Sequence, residues 1–119
     1  MPLLVRMLDA KSSGAREVAA QALASLAGHP GNAREVRRDE RSVPSLVQLL
    51  DPSPANTAKR HAIACLLALS SGKRCKRLMI SHGAIGYLKK LTDMEVAGAG
   101  NLLERLEERG KLRSIFSKN

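Results

Sequence analysis

Residues 43–51 read Val43-Pro44-Ser45-Leu46-Val47-Gln48-Leu49-Leu50-Asp51, and the chain carries the same pattern twice more. Pro2-Leu3-Leu4-Val5-Arg6-Met7-Leu8-Asp9 lies 42 residues before it, and Gly86-Tyr87-Leu88-Lys89-Lys90-Leu91-Thr92-Asp93 lies 42 residues after. In this register Leu4, Leu46 and Leu88 coincide, as do Met7, Leu49 and Leu91. An aspartate closes each copy at Asp9, Asp51 and Asp93. A period in the forties with no strand signal inside it is that of stacked helical repeats, in which each unit buries its apolar face against its neighbours.

Three helices are predicted within the full unit: a short one near Asn32–Asp39, a second over Pro44–Leu50 and a longer third over Thr57–Ser70. Pro44 suits a first turn, where its missing N–H costs nothing. Asp51-Pro52-Ser53-Pro54 stops the second helix, and Asn56 or Thr57 is the expected cap of the third. The third helices align through Ala22, Leu23 and Leu26, then Cys65, Leu66 and Leu69, then Leu102, Leu103 and Leu106, each an i, i+3, i+4 stripe. Their spacing is 43 and then 37, so the last linker is shortened. Loops absorb such changes while stacked helices keep register. That linker runs into Val96-Ala97-Gly98-Ala99-Gly100, a weak helix former expected to be a loop or a frayed helix start.

First helices align through Val36, Leu78 and Ile115. The closing stretch Lys111–Asn119 then occupies the opening slot of a fourth unit and is expected to act as a C-terminal cap. At the other end Met1-Pro2-Leu3 begins directly in a second helix. An uncovered apolar face is expected there, in a fragment of a longer repeat protein or in a chain that self-associates.

The interior must be built from Leu, Ile, Val, Ala and Met, because Tyr87 and Phe116 are the only aromatics. Cys65 and Cys75 show no paired spacing and follow no signal-like leader, so an intracellular chain, cytoplasmic and/or nuclear, is expected. No apolar run approaches the roughly 18 residues that span a bilayer. The net charge of +9 is unevenly placed, since residues 52–93 hold eight basic residues against one acid. Lys73, Arg74, Lys76, Arg77, Lys89 and Lys90 form a basic patch within that span, with Lys59 and Arg60 ahead of it.

Val43 to Asp51 resembles the second-helix motif of armadillo repeats, and Gly83-Ala84-Ile85 is similar to their Gly-Ala-apolar lead-in. Arg41-Ser42 stands where Gly-Ala is usual, which is expected to alter the bend between the first two helices. The C-terminal residues Leu102 to Glu107 and Gly110 to Phe116 resemble those of plant armadillo proteins, including ones that follow a U-box. The resemblance implies an all-α, right-handed α-solenoid of about two and two-thirds repeats. Residues 1–27 would be a partial N-terminal repeat, 28–72 a full repeat, 73–110 a full repeat with the shortened linker and 111–119 the cap. It further implies a protein-interaction scaffold, in plant signalling, immunity or ubiquitination, with no ligase activity carried over.

In importin-like members of the family, Trp and Asn four apart on the third helix hold a basic peptide. The matching pairs here are Gln21 and Ser25, Ala64 and Ala68, and Asn101 and Arg105, so that ligand is not expected. Arg60 and His61, one turn earlier on the middle helix, make the expected groove locally positive. The predicted partner is therefore an acidic extended or helical protein segment held by Gln21, Ser25, Arg60, His61, Asn101 and Arg105. The alternative is a basic adaptor that binds nucleic acid or an anionic membrane through residues 73–90.

Catalysis is not expected. His29, His61 and His82 fall on different elements with no nucleophile and orienting group in a recognisable pattern. Gly98-Ala99-Gly100 lacks the Gly-Lys-Ser/Thr of a phosphate loop and follows no strand. His61 and Cys65, four apart, would need Cys75 and His82 to complete a zinc site. Cys65 instead replaces Ala22 in a repeat slot read as buried, so no metal or other cofactor is expected.

Overall fold

The computed structural model describes residues 2–107, and every regular element among them is helical. The helices are α1 (Pro2–Met7), α2 (Ser13–Ala27), α3 (Pro30–Arg38), α4 (Ser42–Gln48), α5 (Lys59–Leu69), α6 (Lys73–Ser81) and α7 (Ala84–Asp93). An eighth, α8, covers residues 99–107. The three helices expected in the central unit are α3, α4 and α5, and the same order follows in α6, α7 and α8. Helices α4 and α7 begin 42 residues apart. The smallest dimension of the molecule is 20 Å, room for two helix layers at about 10 Å each. Among the described helices none is long and apolar enough to cross a membrane. The expected cap at Lys111–Asn119, with Ile115, lies outside the described residues.

Helix limits move by one or two residues from those read in the sequence. The first helix starts at Pro30, whose fixed φ suits an opening position, and not at Asn32. The second starts at Ser42, so Pro44 sits third in the helix and still within the first turn. The third begins at Lys59 after Ala58, and neither Asn56 nor Thr57 is its N-cap. Asn56 has a different task. Its buried amide donates to Leu49 O (2.7 Å) and Asp51 O (2.8 Å), and its Oδ1 accepts from the Ala58 N–H (3.2 Å). One side chain thus closes the end of α4 onto the start of α5.

The two lead-in turns differ as Arg41 suggested. Gly83 adopts φ +88° before α7, a conformation that glycine reaches without steric cost. Arg41 stays right-handed at φ −90°, and the turn is closed by side chains: Asp39 Oδ1 accepts from the Arg41 N–H (3.0 Å), and Ser42 Oγ donates to Asp39 O (2.9 Å). Ser42 and Ala84, which follow these residues, are both fully buried.

A basic side chain from the start of a third helix grips the preceding linker in two copies. Arg16 Nη1 donates to Ala10 O and Lys11 O. Lys59 Nζ, 43 residues on, donates to Pro52 O (3.3 Å) and Ser53 O (2.9 Å). After the shortened linker the corresponding residue is Val96, which has no such donor. That loop closes through its backbone, with Val96 N–H donating to Leu91 O (3.0 Å), and with Glu95 at φ 60° and Gly98 at φ 84°. A Cβ on Gly98 would stand 3.0 Å from Ile63 Cγ2, so glycine is required there for packing as well as for φ.

The buried residues form one continuous core from Val5 to Leu106. Ala19, Ala62 and Ala99 hold one register position on α2, α5 and α8, and all three are fully buried. We expect Asn56→Ala to lower unfolding free energy by about 1–3 kcal/mol, because it strands buried backbone groups. Chemical denaturation of the two proteins measures the difference, and a change within experimental error would contradict the closing role of Asn56.

Candidate functional site

Among helices α1 to α7, α2 and α5 make the most extensive contact. Helix α8 is held against α5, where Arg105 Nη1 donates to Leu67 O (3.2 Å) and Ser70 Oγ (2.8 Å). Both α2 and α8 therefore adjoin α5. With Ala19, Ala62 and Ala99 turned inward, the positions two and six residues later in each copy face outward. Gln21, Ser25, Arg60, Ala64, Asn101 and Arg105 are exposed, and His61 and Ala68 are half-buried.

The predicted groove residues divide between separate depressions. Asn101 and Arg105 share a depression of about 390 Å³ with Leu67 and Glu104. Arg60 lines a separate cleft of about 560 Å³ with Glu17, Asn56, Thr57, Lys59 and residues 94–97. Gln21 and Ser25 lie on α2 outside both linings.

The locally positive groove expected from Arg60 and His61 requires correction. Glu17 and Glu95 share the cleft with Lys59 and Arg60, and Glu104 stands beside Arg105. Lys59 is committed to the linker carbonyls, and Arg105 to α5. Glu17 Oε2 accepts from Thr57 Oγ1 (3.0 Å) across 40 residues of sequence. Among the described residues Arg60 makes no ion pair, so it is the cation of the cleft left available. Glu17, Met94 and Glu95 belong to this cleft and escaped the sequence reading. The alignment placed Glu17 a turn ahead of the predicted pair, and the shortened linker has no counterpart from which the position of Met94 and Glu95 follows.

The basic patch lies on α6 and α7, which pack together. Lys73, Arg74, Arg77, Lys89 and Lys90 are exposed and Lys76 is half-buried. Among the described residues the one ion pair is Arg38 to Glu35 (3.1 Å), on the exposed surface of α3, so the patch is not neutralised by pairing. Exposed pairs of that kind contribute little to stability.

Beneath the patch Cys75 is buried beside a cavity of about 290 Å³, lined also by Arg37, Asp39, Glu40, Val43, Arg74 and Leu78. Burial pushes its thiol pKa up, while the Arg37 and Arg74 guanidiniums pull it down. Cys65 has no such compensation, and burial pushes its thiol up to about 12. Both are free thiols. Among the described residues no three His, Cys, Asp or Glu side chains gather as metal ligands.

No family model matches this sequence, and comparison with curated proteins and with solved structures likewise gives no match.

The buried Cys65 thiol has a stability consequence at high pH. Its pKa is raised on folding, so the native state keeps a proton that the unfolded state releases above its ordinary value of 9.0. Stability must therefore fall between about pH 9 and 12, by as much as about 1.4 kcal/mol per pH unit. Urea unfolding across this range should show a slope that is shallower in Cys65→Ala. Equal slopes in the two proteins would contradict the buried, protonated thiol.

Proposed function

We propose that this chain is an armadillo-type α-solenoid module that binds an extended or helical segment of another protein along α2, α5 and α8. The observation that carries the reading is the recurrence of the outward positions 21 and 25, 64 and 68, and 101 and 105 on adjacent helices. Small or uncharged side chains occupy most of them, so a partner backbone meets little steric hindrance, and the clefts at the ends of α5 and α8 accept its side chains. The mixed charges narrow the partner further. An acidic residue of the segment pairs with Arg60, and its neighbours are apolar or neutral where they pass Glu17, Glu95 and Glu104. Met94, half exposed at the cleft, supplies an adaptable apolar contact.

A second reading is favoured by a separate observation, the cations of α6 and α7, which make no ion pair among the described residues. In that reading the outer face binds nucleic acid or an anionic membrane through residues 73–90, by charge more than by shape.

One experiment separates the two. A fluorescent peptide of alternating Glu and Leu, titrated with the protein and followed by anisotropy, should bind roughly tenfold more weakly to Arg60→Glu, about 1.4 kcal/mol. It should bind unchanged to a variant with Lys73, Arg74 and Arg77 all replaced by Glu. Unaltered binding by Arg60→Glu, with loss in the triple variant, would overturn the groove and favour the outer face.

A further inference from the structure

We infer that Glu95 sets the specificity of the cleft lined by Arg60, rejecting any segment that carries further acidic residues beside the one that pairs with Arg60. The inference rests on the groove reading proposed above and concerns which segments that groove admits.

Glu95 stands where its backbone favours glycine. Helix α7 is capped at Met94, and the turn closes with the Glu95 N–H donating to Thr92 O (3.0 Å) and the Val96 N–H to Leu91 O (3.0 Å). That closure takes a left-handed residue directly after the cap, most often glycine because it has no Cβ. The end of α6 follows this preference. There Gly83 comes after the cap His82 with φ +88°, and its N–H donates to Ile80 O (3.1 Å). The end of α7 does not, since among the described residues Glu95, at φ 60°, is the one non-glycine residue with positive φ. Its charge adds a second cost. The C-terminus of a helix is the negative end of its dipole, and Asp93 already lies in the last turn of α7.

No ion pair offsets these costs. Glu95 is exposed and forms none among the described residues, and Lys59 in the same cleft is held by the linker carbonyls. Strained residues of this kind collect at binding sites. Glu17 adds a negative charge to the cleft as well, but its bond to Thr57 gives it a place in the fold that Glu95 lacks. A carboxylate with no task in the fold, set in the cleft that Arg60 lines, can discriminate between ligands. The field of a +9 chain draws acidic segments whatever the number of their acids. A fixed negative charge repels the additional acids while Arg60 takes the first, which is specificity gained by repulsion.

Two acetylated and amidated fluorescent peptides of leucine and serine test the inference, one with a single central Glu and one with a Glu added two positions to either side. Anisotropy at physiological ionic strength reads the local repulsion, because the long-range field is then screened. Wild-type protein should bind the single-Glu peptide about fivefold more tightly, the effect of one exposed like-charge contact. Glu95→Gln keeps the strained backbone, removes the charge, and should lose this preference by binding the three-Glu peptide more tightly. Glu95→Gly removes both costs and should raise the midpoint of thermal unfolding by about 4 °C. A preference that survives Glu95→Gln would overturn the inference. So would a Glu95→Gly protein no more stable than wild type, because Glu95 would then belong to the fold. Wild-type protein that binds both peptides alike would overturn the inference alone, whereas failure to bind either would overturn the groove reading and the inference with it.

Discussion

The side-by-side contact of α2 and α5 is the constraint on which the rest of the structure depends. Ala19 and Ala62 hold the same register position on these two helices and are fully buried, as is Ala99 on α8. Interhelical distance is set by the side chains at the contact, so alanine permits a close approach that leucine would prevent. Leu23, Ile63, Leu66 and Leu69 belong to the same core and are essentially fully buried. A chain with few aromatics packs its core in this way, from many medium-sized side chains held at short range.

The surface chemistry follows from that contact. One side of each long helix faces inward, and the residues on the opposite sides, Gln21, Ser25, Ala64, Asn101 and Arg105, are exposed. Arg16 and Lys59 hold two of the loops before these helices by their carbonyls. The third loop lacks the cation and instead uses Glu95 and Gly98 at positive φ, and there the larger cleft opens. The same basic residues that add to the net charge are thus partly spent on the fold, and Arg60 is left as the available cation beside them.

Much of the helix order was legible in the sequence because the repeat samples one problem three times. Leu46 and Leu88 are fully buried in the places that the 42-residue register assigns, and the weak stretch 96–100 is loop to residue 98 and helix from 99. Short-range readings erred where two solutions compete locally. Asn56 has the chemistry of an N-cap, yet its amide gains more from three backbone partners in the linker. Arg41 replaces a lead-in glycine without taking its left-handed conformation, since Asp39 and Ser42 close the turn by another route. The candidate site was less legible, because its electrostatics depend on residues distant in sequence. Glu17 meets Thr57, and Arg105 reaches Ser70, through contacts that no periodicity announces. Counting cations along the chain therefore overstated the positive character of the groove.

Native-state hydrogen exchange is the most direct test of this hierarchy. If the contact of α2 and α5 organises the molecule, their inward amides, around Ala20, Leu23, Ile63 and Leu66, should exchange last, through an opening whose free energy equals that of global unfolding. The amides of α1 and of the 94–98 loop should exchange earlier, through local openings. Slowest exchange in α6 and α7, with α2 and α5 opening well below the global free energy, would contradict the account.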